Sequence, residues 1–104
     1  MARSAAPLFA ALGDETRLRL VARLSTLGPL SITRLSDGFP MTRQAITKHL
    51  RVMEEAGLVR SIARGRESLW QLEEAQLAAA QRHLACVSSQ WDVRLERLKR
   101  FVER

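Results

Sequence analysis

Between Thr42 and Glu55 the chain carries Arg43, Gln44, Thr47, Lys48 and Arg51 at spacings that gather on one side of a helix. Advancing 100° per residue from Thr42 puts Ala45, Ile46, His49, Leu50, Val52, Met53 and Ala56 on one arc. Arg43, Gln44, Thr47, Lys48, Arg51, Glu54 and Glu55 take the other, and the two sets do not mix. The polar arc holds the side chains that read base edges in a duplex groove. Arg and Lys donate to guanine O6 and N7, Gln pairs with adenine, and a Thr methyl touches the thymine methyl. Gln44, Thr47, Lys48 and Arg51 are the expected groove contacts. Thr42 and Arg43 at the helix start, with Arg64 and Arg66 further on, suit the phosphate backbone. Glu54 and Glu55 share the arc at its C-terminal end, which a helix entering the groove N-terminus first would hold away from phosphates.

Charge supports this reading. The 104 residues contain 17 Lys+Arg and 11 Asp+Glu, a formal net charge of +6. Residues 41–66 hold Arg43, Lys48, Arg51, Arg60, Arg64 and Arg66 against Glu54 and Glu55, which places +4 of that surplus in a quarter of the chain. A charged arc alone is more often a solvated helix face. Its combination with two short capped helices, a tight turn and a basic hairpin tip points to duplex DNA.

The supporting elements follow from helix starts and stops. Pro7 suits the first turn of a short apolar helix ending at Leu12. Asp14 caps a second helix to about Leu27, whose Leu20, Val21, Leu24 and Leu27 fall on one side before Gly28-Pro29 stops it. Ser31 caps a short third helix to about Asp37 with Leu35 inward. Gly38-Phe39-Pro40 makes a tight connection, Thr42 caps the fourth helix, and Gly57 ends it. Leu58 to Leu72 reads as a two-stranded hairpin joined by Arg64-Gly65-Arg66, with Val59, Trp70 and Leu72 facing inward. From Glu74 to Glu103 nothing breaks a helix, which would run about 45 Å. In it Leu77, Leu84, Trp91 and Leu98 recur every seven residues. Ala80, Val87 and Phe101 fill most of the second heptad position, Leu95 and Val102 lie beside it, and Arg94 breaks the pattern. Leu77, Leu84, Trp91, Leu95, Leu98 and Phe101 are therefore the expected seam with a second copy.

Other residues admit blander readings. His49 lies within the apolar arc and reads as a core-edge histidine bonded to a neighbour, and His83 reads as solvated. Trp70 reads as a core anchor. A single cysteine, Cys86, excludes an internal disulfide and any zinc site built from several thiolates, and fits a reducing cytoplasm. A redox role for it would need a second thiol, the obvious one being Cys86 of another copy. Two scattered histidines, one thiol and no phosphate-cradling Gly loop leave no nucleophile–base pair, so an enzyme is not expected. No cofactor is expected either. The longest uncharged stretches, Ser4 to Gly13 and Leu24 to Thr33, are far short of the ~18 residues that cross a bilayer. The first runs straight into Asp14-Glu15-Thr16-Arg17 and reads as a helix rather than a signal peptide. Use of the polar arc against an acidic protein partner is the main alternative, and a membrane-lying amphipathic helix is disfavoured because the apolar arcs are needed for the core.

Three stretches resemble the ArsR-type winged helix-turn-helix regulators: Phe9-Ala10-Ala11-Leu12-Gly13-Asp14-Glu15-Thr16-Arg17, Leu27-Gly28-Pro29-Leu30-Ser31-Ile32, and Ala45 through Val59. The resemblance spans Leu8 to Val102. It implies a mainly α winged helix-turn-helix, with one β-hairpin wing and a long C-terminal dimerisation helix. It further implies one domain over 1–104, paired through its first and last helices, and a homodimeric repressor of its own or a neighbouring promoter on a palindromic operator. Metal-sensing members carry a Cys-x-Cys type motif near the third helix, where Ser31-Ile32-Thr33-Arg34-Leu35-Ser36-Asp37 has neither thiol nor imidazole. Others use paired Asp and His on the last helix, where His83, Cys86 and Asp92 lack a matching second pair. No metal site is expected. The run Trp91-Asp92-Val93-Arg94-Leu95-Glu96-Arg97-Leu98 resembles a metal-free subgroup often encoded beside a lipid-binding-type (START-like) protein, a subgroup that implies no known effector ligand.

Overall fold

The computed structural model describes residues 5–103; the domain ends expected at 1 and 104 lie outside them. Five helices and a small sheet follow in the order α1 (Ala6–Leu12), α2 (Glu15–Leu27), β1 (Leu30–Ser31), α3 (Ile32–Ser36), α4 (Arg43–Glu55), β2 (Val59–Arg64), β3 (Glu67–Leu72) and α5 (Glu74–Val102). The caps fall where residue type places them. Asp14 accepts from the Arg17 amide at 3.0 Å, Ser31 from the Arg34 amide at 3.4 Å, and Thr42 from the Ala45 amide at 3.1 Å. Gly57, at φ +82°, ends α4 in the left-handed region that a side chain disfavours.

The sheet differs from the expected hairpin in two ways. It has three antiparallel strands in the order β1-β3-β2, with Leu30 opposite Trp70 and Ser31 opposite Leu69. A two-residue strand has no periodicity to detect, and only its partner strand defines it. The loop is also tighter than expected. Arg64 is the last residue of β2, opposite Glu67, so Gly65-Arg66 alone makes the turn, with Gly65 at φ +62°.

One core joins these elements. Leu20 and Leu24 of α2, Leu35 of α3, Ile46, Leu50 and Met53 of α4, Leu58, Val59 and Trp70 are all buried. Leu72 is half-buried against them. Two residues placed on apolar arcs are more open than expected. Leu27 sits in the last turn of α2, where the helix outruns the core, and Val52 lies at the edge of the α4 arc; both are exposed. Leu77 and Ala80, in the first two turns of α5, pack on the same core.

Beyond Ala80 every described residue of α5 is exposed. The radius of gyration is 17.9 Å, against about 13 Å for a compact chain of this length. The excess comes from this protruding helix.

Behind α4, a polar joint ties three helices. The Arg17 Nε donates to the Ala11 carbonyl of α1 at 2.6 Å, and its guanidinium lies 3.4 Å from His49 Nδ1 on α4. The Asp14 carboxylate is 3.7 Å from the same nitrogen. The hydrogen bond from the Arg17 amide, helped by the nearby Arg17 guanidinium, holds the Asp14 carboxyl below its ordinary value of 3.8. A depressed carboxyl stabilises the fold above its unfolded-state pKa, and that contribution is lost as pH falls through the folded-state value. Asn caps about as well as Asp, so Asp14→Asn removes the charge alone. Urea unfolding of both proteins from about pH 7 to about pH 3 should show the wild type more stable at the upper end and the two converging below about pH 4. Parallel curves would show that the Asp14 charge contributes nothing.

Candidate nucleic-acid interface

The burial of Ile46, Leu50 and Met53 sets the roll of α4, and that roll turns Arg43, Gln44, Lys48 and Arg51 to solvent. The two ends of the helix then differ. At the N-terminal end, Thr42 is occupied in capping, while Arg43, Gln44 and Lys48 make no side-chain hydrogen bond or ion pair among the described residues. Thr47 is half-buried, and its hydroxyl donates to the Arg43 carbonyl one turn back at 2.8 Å.

The C-terminal end is tied down. Arg51 donates to Glu54 Oε1 at 2.9 Å, and its guanidinium lies 5.3 Å from the Trp70 ring centre. The other Glu54 oxygen accepts from Ser61 on β2 at 3.5 Å. Glu54 is therefore engaged by a local ion pair and by β2. Arg51 leans toward the sheet, so a base contact from it requires release of this pairing. Nearby, Arg60 pairs with Glu73 at 2.9 Å. Of the six cations in residues 41–66, Arg43, Lys48, Arg64 and Arg66 are thus without an ion pair among the described residues. Arg64 and Arg66 stand exposed at the tip of the β2–β3 hairpin.

Sequence reasoning missed one cation in this region. Arg34 of α3 lines a cleft of about 630 Å³ together with Arg43, and a second cleft on its other side together with Arg64 and Glu67. It thus bridges the start of α4 to the hairpin tip. Its only sequence signal is a positive charge in a five-residue helix, too short for an arc to be defined.

The remaining candidates fall outside this surface. His49 is engaged by Arg17 and Asp14 as a core-edge residue. His83 is exposed, with its ring 5.6 Å from that of Phe9. Cys86 is exposed, 4.0 Å from the Gln90 amide nitrogen. Among the described residues no three His, Cys, Asp or Glu side chains gather as metal ligands, and no helix is long and apolar enough to cross a membrane. Of the expected seam, Leu77 is half-buried against the protomer's own core. Leu84, Trp91, Leu95, Leu98 and Phe101 are 55–75 % exposed along one stripe of α5. Arg94 lies within that stripe, its guanidinium 5.7 Å from the Trp91 ring centre.

Residues 12–62 match the family model of a helix-turn-helix domain. The chain is 38 % identical over 77 residues to an HTH-type transcriptional regulator of Mycobacterium tuberculosis, covering 74 % of this chain and 71 % of that one. It is 29 % identical over 96 residues to the arsenical resistance operon repressor of Escherichia coli, covering 75 % and 82 %. Among solved structures, an ArsR-like transcriptional regulator from a Rhodococcus species superposes with a TM-score of 0.78 at 37 % identity, over 93 % of this chain and 91 % of the other.

Proposed function

This chain belongs to the ArsR-type winged helix-turn-helix family of DNA-binding transcriptional regulators, which are not enzymes, and on that premise we propose that it acts as a homodimeric repressor of a palindromic operator. The observation that carries the reading is the set of unpaired groups at the N-terminal end of α4 with a basic hairpin tip on the same chain. Gln44, Thr47 and Lys48 enter the major groove, with Arg51 joining once it leaves Glu54. Thr42, Arg43, Arg64 and Arg66 hold the phosphates. One such helix reads only a few base pairs. A two-fold pair reads two half-sites, about 34 Å or a multiple of it apart. The arsenical resistance operon repressor among the relatives supports repression as the outcome. The chromosome's compartment, the cytoplasm, is its place of work.

The exposed stripe of α5 supports the second copy. Leu84, Trp91, Leu95, Leu98 and Phe101 form an apolar surface on a helix that its own protomer does not cover, and a face of this kind is a protein-contact surface. A second α5 laid on it, with α1 alongside, would bury it.

Selection from random duplex DNA tests the reading. The protein should enrich a symmetric motif, and Gln44→Ala should weaken binding to it by about 1–3 kcal/mol while relaxing the preference at one position in each half. Enrichment of no motif would make this face a protein-interaction surface instead. The dimer is tested separately by Leu98→Asp. A charge buried at a two-fold seam acts twice and, on the scale of an interface hot spot, should raise the dimer dissociation constant by about tenfold or more. Analytical ultracentrifugation reads this, and unfolding of the α1–β3 core should be unchanged. A wild-type protein that sediments as a single subunit would remove the dimer.

A further inference from the structure

The turn between the two helices of the DNA-reading unit is held from outside by a residue of α2. Arg23 is half-buried, and its guanidinium donates to the Leu35 carbonyl at 2.8 Å and to the Asp37 carbonyl at 2.6 Å. Its central carbon lies over the Phe39 ring, 4.7 Å from the ring centre, which Arg19, one turn earlier on α2, approaches at 5.7 Å. The same guanidinium reaches to within 4.0 Å of where a Cβ on Gly38 would sit, and Gly38 has φ +81°. Every residue from 35 to 39 except Ser36 therefore meets Arg23 through a carbonyl, a ring or the space beside its Cα.

The chemistry explains why the contact matters. α3 has only five residues and ends at Asp37 with extended rather than helical dihedrals. The last carbonyls of any helix lack intrahelical donors; here the Ser36 carbonyl accepts from the Phe39 amide at 3.1 Å, and the Leu35 and Asp37 carbonyls accept from Arg23. A guanidinium offers several donors in a rigid plane and can bond two carbonyls while stacking on a ring, which an ammonium cannot do. From the Asp37 carbonyl it is five residues to Thr42, where α4 begins. Arg23 thus ties to α2 the turn from which Arg43 and Gln44 leave, on a helix whose roll the core has set.

We infer that Arg23 is a positioning residue for sequence reading: it fixes the α3–α4 turn, and so the entry of α4 into the groove, without itself touching DNA. The inference rests on the DNA-binding reading given above. A positioning role predicts loss of discrimination. A phosphate contact predicts uniform loss with a smaller salt dependence.

The experiment uses the full chain, the duplex that the wild-type protein enriches from a random pool, and a scrambled duplex of equal length. Arg23→Met keeps an aliphatic stem and removes the guanidinium. Expected is a loss of about tenfold on the enriched duplex, the scale of one good base contact. Binding to the scrambled duplex should change less than about twofold, and the slope of log affinity against log salt should hold. Arg23→Lys should fall between Met and wild type. Phe39→Leu, which keeps the carbonyl bonds and removes the stack, should show a smaller loss of the same kind. It decides by the same criteria if Arg23→Met does not fold. Equal losses on both duplexes with a slope reduced by about one would make Arg23 a phosphate contact and overturn the inference. Unchanged binding to both duplexes in the folded variants would overturn it too. A wild-type protein that enriches nothing would instead remove the DNA-binding reading beneath it.

Discussion

The roll of α4 about its own axis is the constraint from which the surface chemistry follows. Ile46, Leu50 and Met53 have no exposed surface at all. Burying side chains of this size stabilises by about 1.5–3 kcal/mol each. The exposed Arg51–Glu54 pair on the opposite side belongs to a class worth about 0–1 kcal/mol. The core therefore decides which way α4 faces, and the surface ion pairs only adjust side chains on a face already chosen. A roll of one residue would bury Thr47 or Arg51 and expose a core residue, at a cost no surface contact can offset. Arg43, Gln44 and Lys48 face outward because the hydrophobic arc leaves them nowhere else to go.

Much of this was readable in the sequence, for a definite reason. Caps are local: Asp14, Ser31 and Thr42 each bond an amide three residues on, so residue type and position suffice. The α4 arcs are local too, since helical geometry alone assigns their sides. The unread features depend on residues distant in sequence. β1 exists only because β3 runs beside Leu30 and Ser31. Arg23 acts on carbonyls 12 and 14 residues away. Arg51 is drawn aside by Trp70 on another element. Leu27 and Val52 show the complementary error: periodicity says which side a residue is on, but not where the core ends.

The C-terminal helix poses the same question at larger scale. Its apolar stripe continues for six turns past Ala80, the last residue buried within the protomer. Within one chain this surface is uncovered, and a 29-residue helix that keeps its heptad pattern while leaving its own core is the observation on which the proposed pairing with a second helix rests. Leu77 marks the handover. It lies on the same stripe but packs against the chain's own core, so the stripe begins in the fold and continues as an uncovered surface. Arg94, inside the stripe, is the charge there, and its guanidinium lies over the Trp91 ring.

The two ends of α4 show how the molecule separates holding from reading. At the C-terminal end Glu54 links Arg51 and Ser61, and the Arg51 guanidinium lies over the Trp70 ring, so this end is joined to the sheet. At the N-terminal end Arg43, Gln44 and Lys48 are unengaged among the described residues, while the main chain is held by the Thr42 cap, by buried Ile46 and by the preceding turn through Arg23 and Phe39. A groove is read by groups that exchange water for base edges, and a group already bonded to its own protein must first give that bond up. Freedom of Arg43, Gln44 and Lys48 is useful only if their backbone is fixed, because a mobile helix start would lose in ordering entropy what each contact gains. On the proposed reading both demands are met: Arg23 restrains main-chain carbonyls of the turn, while the Arg43, Gln44 and Lys48 side chains stay unbound among the described residues.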